Sequence, residues 1–112
     1  MSRTSQKKGR AGELELAEVL RGYGYPVKAG RAVSYGEVPD VSGLPAVHIE
    51  CKRCQQLRMS DWMQQATQDA EKFQDGAPVV FHRKNREGWL CTLRLDDFMS
   101  FYSRGAGDKQ AR

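Results

Sequence analysis

The sequence predicts an α/β domain with a mixed central sheet of about five strands flanked by helices, in the order αβββαββα. Two observations predict this class. Apolar residues recur at helical spacing in two long segments, and five short segments rich in β-branched and aromatic residues lie between turn signals. The chain of 112 residues is long enough for one domain and short for two. We expect that domain over residues 7–103, between a disordered basic N-terminus at 1–6 and a disordered tail at 104–112.

The boundaries of the elements follow from local sequence signals. The first helix begins at Lys7 or Gly9, carries Leu16, Ala17 and Leu20 as its apolar stripe, and ends near Tyr23. Ser60 is the expected N-cap of the second helix. The second and third helices are predicted over residues 61–73 and 97–102, and the strands over residues 27–33, 38–43, 46–53, 78–83 and 89–95.

Composition disfavours a membrane protein and indicates a polyanionic partner. No apolar run approaches the ~20 residues that cross a bilayer, and the polar residues 1–10 lack the apolar core of a signal peptide. We therefore expect a cytoplasmic protein without a membrane partner. The net charge of +4 suggests nucleic acid, although an ordinary soluble surface explains it about equally well. The candidate phosphate contacts are Lys7, Lys8, Arg10, Arg53, Arg58, Arg83, Lys84 and Arg86.

The cysteines do not form a recognisable framework. Their number, three, is odd, and only Cys51 and Cys54 have the paired spacing of a zinc-binding knuckle. His48, His82 and Cys91 would have to complete a zinc site. Because structural zinc sites usually draw on two such pairs, we expect buried or bystander thiols instead.

Residues 38–53 read as two short strands joined by a turn at Leu44-Pro45. Side chains alternate along a strand, so Cys51 shares the core face while His48, Glu50 and Lys52 share the other. Folded as a hairpin, the two strands would bring Asp40 within roughly 5 Å of Glu50. Two carboxylates repel each other unless one is protonated or a cation lies between them. This segment therefore predicts a divalent metal site.

Glu13 adds a third acid to this region. It precedes Leu16 by three residues and Ala17 by four, which places it on the apolar stripe of the first helix. A buried unpaired charge is costly, so such a position needs a reason. The alternative is a solvated glutamate in the first helical turn, which the helix dipole favours.

These residues together predict phosphodiester hydrolysis. Magnesium takes oxygen ligands and usually binds one or two carboxylates, waters and substrate phosphate. Asp40 and Glu50 supply the carboxylates, the carbonyl of Cys51 is a further ligand, and Glu13 reaches the same metal or a second one. Lys52 would hold the attacking water or stabilise charge that develops on the phosphate. Metal-bound water is acidic enough to supply hydroxide near neutral pH.

The ordered set Glu13, Pro39-Asp40 and Glu50-Cys51-Lys52 resembles the PD-(D/E)xK nuclease superfamily. Within it, residues 7–102 look most like the archaeal-type Holliday junction resolvases and their small phage and prophage relatives. The segments that carry this resemblance are residues 8–16, with Lys8-Gly9 before Glu13-Leu14-Glu15-Leu16, then Ser34 ahead of the Asp, and residues 38–53 and 79–86.

The resemblance implies a restriction-endonuclease-like three-layer core and a structure-selective DNA endonuclease. Recombination, replication and packaging of phage DNA all remain open as its process. It implies Glu13, Asp40 and Glu50 as ligands of Mg²⁺, which Mn²⁺ would replace, and Lys52 as base or phosphate clamp. It also adds Gln65 as a helix glutamine near the site, and Ser34 as a phosphate contact. Resolvases of this type act as homodimers on four-way junctions, and a phage-encoded member would act in the cytoplasm of its bacterial host.

Two other functions remain open at this point. One is a nicking, restriction-like or exonuclease activity on the same fold. The other is a nucleic-acid-binding module without catalysis, which the intact acid set disfavours because binding alone does not need buried carboxylates.

Two further polar residues have no assigned role. His48 shares a face with Glu50, but spacing alone does not assign it a function. Asp69 on the second helix is expected to face solvent.

Overall fold

The computed structural model describes residues 3–30 and 38–107, with side chains from residue 9 to 30 and from 38 to 105. The predicted order αβββαββα is confirmed. The elements are α1 (Arg3–Arg21), β1 (Lys28–Ala29), β2 (Val41–Ser42), β3 (Val47–Arg53), α2 (Met59–Phe73), β4 (Ala77–Arg83), β5 (Leu90–Leu93) and α3 (Leu95–Tyr102), followed by a π-helical turn at Ser103–Gly107.

Several boundaries differ from the prediction. Helix α1 begins at Arg3, four residues before the predicted start at Lys7, and the last helical turn extends to Gly107. Helix α2 begins at Met59, which places Ser60 inside its first turn and Arg58 at the N-cap position, without a capping side chain. The end of the first predicted strand, residues 31–33, lies outside the described residues.

The five strands divide between two sheets in the described part of the chain. The larger has the order β3-β4-β5, with β3 parallel to β4 and β4 antiparallel to β5. The smaller pairs β1 with β2. The predicted hairpin between residues 38–43 and 46–53 is therefore wrong in its pairing, although the turn after Gly43 is present. Strand β3 pairs along all seven of its residues with β4, whereas β2 has only two residues.

The larger sheet is covered on both faces, which gives three layers. Helix α1 packs on one face, over a core of Leu16, Ala17, Val27, Val41, Ile49, Val79 and Phe81. Helix α2 packs on the other face, over Trp62, Ala66 and Val80. Within the described residues, no helix combines the length and the apolar character needed to span a lipid bilayer.

Gly12 allows α1 to lie close against β3. A Cβ atom added at Gly12 would come within 2.8 Å of the Cβ of Arg53. That atom is fixed to the β3 backbone and cannot move aside as the end of a flexible side chain would. A residue with a side chain at position 12 would therefore push apart the two elements that carry Glu13 and Glu50.

We expect Gly12→Ala to lower the free energy of unfolding by about 1–3 kcal/mol, the usual cost of overpacking. Gly9→Ala is the matched control in the same helix, since a Cβ there would meet no described atom within 4 Å. It should stabilise the protein by up to ~1 kcal/mol through helix propensity. Urea unfolding of both variants measures these free energies of unfolding. Equal stabilisation by both substitutions would contradict the close approach of α1 to β3.

Candidate active site

A cleft of about 550 Å³ lies where α1, β3 and α2 meet the chain just before β2. Every residue predicted for catalysis or metal binding lines it. These residues are Glu13, Asp40, Glu50, Cys51, Lys52 and Gln65. The structure thus brings together side chains from four separate segments of the chain.

Asp40 is positioned by the backbone of the small sheet. The amide of Gly30 donates to the carbonyl of Asp40 at 2.6 Å, and the guanidinium of Arg10 in α1 donates to the carbonyl of Gly30. A Cβ at Gly30 would lie 2.6 Å from the carbonyl oxygen of Pro39, so this approach requires glycine. Asp40 is therefore linked to α1 through Gly30. It lies at the cleft although β2 and β3 do not pair.

Glu13 lies in the middle of α1, ten residues after Arg3, and not in its first turn. The solvated first-turn alternative is thereby excluded. Its side chain is 19% exposed, and its Oε1 lies 3.9 Å from a guanidinium nitrogen of Arg10. Burial, and next the Asp40 carboxylate, raise the pKa of Glu13 from 4.5 to about 7, although Arg10 acts in the opposite direction.

Glu50 is a buried carboxylate on β3, with only 6% of its surface exposed. Burial raises its pKa above the ordinary value, although His48 and Lys52 oppose that shift. The Lys52 Nζ lies 3.9 Å from Glu50 Oε2 and donates to Gln65 Oε1 at 2.9 Å. Gln65 on α2 therefore orients the lysine beside the acid.

The donor set suits a hard divalent cation. Glu13, Asp40 and Glu50 offer carboxylate oxygens, the ligand type that Mg²⁺ and Mn²⁺ prefer. Burial raises the pKa values of both Glu13 and Glu50, with a further contribution from Asp40 at Glu13 and from Asp69 at Glu50. A divalent cation in this cleft would favour the ionised form of both carboxyl groups.

The thiol of Cys51 is not a ligand of this type. Its side chain packs with the core on the α1 face, and burial raises the pKa of the thiol to about 12. The backbone carbonyl remains the only Cys51 group suited to the predicted ligand role. Within the described residues, no cysteine belongs to a group of three or more side chains close enough to share a metal ion.

Sequence reasoning missed two acids that lie around His48. Asp69, expected to face solvent, forms with His48 and Glu50 a group whose ligand atoms lie within 4.8 Å of one another. Asp75 follows α2 and contacts His48 Nδ1 at 3.0 Å. Asp69 follows Gln65 by four residues, a spacing that puts both on one helix face, so a signal for it existed. No spacing rule connects Asp75 to His48.

Two candidate phosphate contacts are bound within the protein. The guanidinium of Arg83 donates to both carboxylate oxygens of Glu15, at 2.8 and 3.2 Å. Arg53 lies 3.5 Å from the same carboxylate and donates to Asn85 at 2.6 Å. Both arginines therefore connect the strands of the larger sheet to α1, and Arg53 also connects β3 to the β4–β5 turn.

The remaining basic candidates differ in their placement. Arg58 is exposed and lines the cleft, and Arg86 is exposed in the β4–β5 turn. Lys84 in the same turn is half-buried. Lys7 and Lys8 belong to α1, but their side chains, like all of Ser34, lie outside the described residues.

His82 has a structural role on β4. Its Nε2 lies 2.9 Å from Thr92 Oγ1, and its ring packs against Trp62 at 5.8 Å between centroids. Burial lowers its pKa. These contacts hold α2 and β5 against β4.

No protein-family model matches the chain, and no curated protein matches it. Among solved structures, the chain is similar to Hjc, a Holliday junction resolvase from the archaeal hyperthermophile Archaeoglobus fulgidus. The match has a TM-score of 0.58 and 22% sequence identity, and it covers 77% of this chain and 72% of that one. At this identity the match establishes the fold. The restriction-endonuclease-like three-layer fold implied by the sequence is thus confirmed.

Glu13 should make the metal-free protein less stable as the pH rises. Below its unfolded pKa of 4.5, Glu13 is protonated in both states and has no effect. Between pH 4.5 and about 7 the unfolded chain ionises while the folded chain keeps its proton, so stability falls by up to about 3 kcal/mol and then levels off.

Urea unfolding in the presence of a chelator, across this pH range, measures that loss. Glu13→Gln keeps the shape of the side chain and removes its titration, so its stability should decline less steeply than that of the wild type. Parallel curves for the two proteins would contradict the assigned shift.

Proposed function

We propose that this chain is a metal-dependent DNA endonuclease that hydrolyses phosphodiester bonds, with selectivity for branched DNA such as the four-way junction. The observation that carries the proposal is the convergence of Glu13, Asp40, Glu50 and Lys52 on one cleft. Two of these acids have raised pKa values that a divalent cation would reverse. A binding module without catalysis has no use for such an arrangement, because burying carboxylates costs free energy.

The cation is Mg²⁺, with Mn²⁺ as a substitute. Asp40 and Glu50 would hold it together with the carbonyl of Cys51, and Glu13 would bind directly or through water. When bound, such an ion neutralises negative charge on the phosphate and makes a ligated water more acidic. The carboxylates hold their positions through contacts with α1 and β3, so little reorganisation is needed before reaction.

Lys52 acts at the phosphate. Its ammonium group is fixed between Gln65 and Glu50, where it holds the attacking water or stabilises the negative charge that grows on the phosphate oxygens as the bond to the leaving oxygen breaks. Gln65 acts through Lys52 and orients its Nζ. Hydrolysis leaves a phosphate on one side of the cut and a hydroxyl on the other.

DNA reaches the cleft across a basic surface. The exposed Arg58 lines the cleft, and the turn that carries Lys84 and Arg86 is held to the loop after β3 by a hydrogen bond from the Asn85 amide to Gln55. The other proposed phosphate contacts are Lys7, Lys8, Arg10, Ser34, Arg53 and Arg83, with Arg53 and Arg83 acting mainly through the turn that they support. Contacts of this kind recognise backbone and shape, not base sequence, which suits a junction.

The proposal of junction selectivity draws on the fold shared with the archaeal resolvase. A four-way junction has two equivalent strands to cut, and a two-fold homodimer presents two equivalent sites. We place this activity in DNA recombination, in the cytoplasm of a bacterial host if a phage encodes the protein.

The surface of α3 is the proposed dimer contact. None of its residues is buried in the described part of the chain. Phe101 is half-buried, but four other large side chains of α3 are exposed, as is one on the neighbouring strand β5. They are Leu95, Phe98, Met99, Tyr102 and Leu90, between 47% and 74% exposed. A cluster of this kind is typical of a protein–protein contact.

Asp40→Asn should reduce Mg²⁺-dependent cleavage of a four-way junction by at least ~100-fold, because a direct metal ligand matters at least as much as an outer-shell one. Junction affinity should stay near the wild-type value. Glu18→Gln, an exposed acid on α1, is the control and should cleave normally. Cleavage by Asp40→Asn near the wild-type rate would contradict the proposed site.

The same assay, run on junction, flap, nicked duplex, linear duplex and single strand, separates the candidate activities. Preference for the junction, with paired cuts, supports a resolvase. Preference for nicked or linear duplex would support the nicking, restriction-like or exonuclease alternative and overturn junction selectivity while leaving the nuclease intact.

Leu95→Glu combined with Phe98→Glu should convert the dimer to a monomer, as measured by light scattering after size exclusion. Tyr23→Glu replaces a large side chain that is 76% exposed elsewhere and should leave the dimer intact. A wild-type protein that is monomeric at micromolar concentration, or a double variant that stays dimeric, would contradict the α3 contact.

A further inference from the structure

His48 is a buried histidine between two carboxylates. Only 2% of its surface is exposed. Its Nδ1 lies 3.0 Å from both Asp75 oxygens, and its Nε2 lies 3.2 Å from Glu50 Oε1. The ring is stacked on Phe73, with the planes 11° apart. The imidazole is thus held in one orientation, with each nitrogen directed at an acid.

The contacts of His48 connect Asp75 to Glu50 through one ring. A protonated imidazole nitrogen donates a hydrogen bond, and a carboxylate oxygen accepts one. An N–H at Nε2 would donate to Glu50 Oε1, while the contact of Nδ1 with the Asp75 carboxylate keeps the ring in the orientation that directs Nε2 at Glu50. Asp75, whose side chain is 26% exposed, anchors the ring from the side remote from the cleft.

We infer that His48 is a positioning residue for the nuclease site, which it serves by fixing the carboxylate of Glu50. The inference rests on the proposed function. The bond from Nε2 holds Oε1, so that Oε2 stays directed towards the Lys52 ammonium, 3.9 Å away. One donated bond thereby sets the rotation of an acid that would bind the metal and that also lies beside Lys52.

A different reading makes His48 itself a metal ligand, together with Glu50 and Asp69, whose ligand atoms lie within 4.8 Å of one another. Histidine ligands often donate their second nitrogen to a carboxylate, as Nδ1 does here to Asp75. The positioning role is favoured because Nε2 is already engaged with Glu50, and because the other carboxylates of the cleft suit an oxygen-preferring cation. The two readings give different spectra and different variant series.

Two substitutions test the roles of the two His48 nitrogens separately. His48→Gln extends an amide N–H to about the place of Nε2 and keeps a donor for Glu50. His48→Asn is shorter, and its amide replaces Nδ1 and serves Asp75 alone. Both bury a neutral amide in place of the ring, so a purely structural role predicts similar losses of stability and similar losses of function for both.

The experiment measures Mn²⁺ affinity by calorimetry, and kcat and KM for junction cleavage, in the wild type, both His48 variants and Asp40→Asn, with thermal unfolding of each. We expect His48→Asn to lose about 10- to 100-fold in Mn²⁺ affinity and in kcat, the usual effect of an outer-shell partner, with KM for DNA unchanged. His48→Gln should recover most of both. Wild-type behaviour of His48→Asn, or equal losses in the two variants, would overturn the inference.

Spectroscopy on the wild type decides the point even if the variants fold poorly. Electron spin echo measurements on the Mn²⁺-loaded protein should show no coupling to a histidine nitrogen, and nitrogen-15 NMR should show a proton on Nε2 of His48, the nitrogen that faces Glu50. Nitrogen coupling to Mn²⁺ would overturn the positioning role. If Asp40→Asn binds Mn²⁺ normally, it is the proposed nuclease site that fails, a result distinct from any outcome at His48.

Discussion

The mutual repulsion of three acids in one cleft is the constraint on which this structure depends. Glu50 is buried on β3, Glu13 is mostly buried on α1, and the exposed Asp40 lies beside them just before β2. No ordinary packing requirement brings these three carboxylates together, since burying Glu13 and Glu50 costs free energy that cations at 3.9 Å offset only in part. A cation that they share gives the arrangement a function, and the same electrostatics that make the site costly would make it bind a divalent ion.

The fold meets this cost with contacts that lie outside the cleft. Gly12 lets α1 lie directly on β3, the paired bonds of Glu15 with Arg83 fix α1 to β4, and the bonds through Gly30 fix Asp40 to α1. These contacts keep the carboxylates of Glu13, Asp40 and Glu50 close together, although their repulsion would otherwise move them apart. The basic side chains have two roles. Arg53 and Arg83 stabilise the contact between α1 and the larger sheet, whereas Arg58 and Arg86 are exposed and available to a polyanion.

Much of the site could be predicted from periodicity alone. The helical stripe placed Glu13 on the side of α1 that faces the sheet, and strand alternation separated Glu50 and Lys52 from the thiol of Cys51. The predicted hairpin was wrong in its pairing, yet Asp40 and Glu50 line one cleft, because the β1–β2 pair holds Asp40 beside the larger sheet by another route. Local patterns report which face a residue lies on, but not which strand will be its neighbour.

The contacts of His48 could not be predicted in the same way. Its anchor, Asp75, is 27 residues away and reaches it only because β3 and β4 pair in parallel, with His48 opposite Pro78. The internal ion pairs of Arg53 and Arg83 could not be predicted for the same reason, since Glu15 and Arg83 are 68 positions apart in the sequence. Long-range pairing of this kind depends on sheet register, which a single sequence does not specify.

The most direct test of the central claim is a crystal structure of the protein with Mn²⁺, in which anomalous scattering locates the ion. The account predicts an ion bound by the carboxylates of Asp40 and Glu50 and by the carbonyl of Cys51, with Glu13 bound directly or through water. An ion held by His48 and Asp69 away from Asp40, or a cleft that stays empty at saturating Mn²⁺, would contradict it.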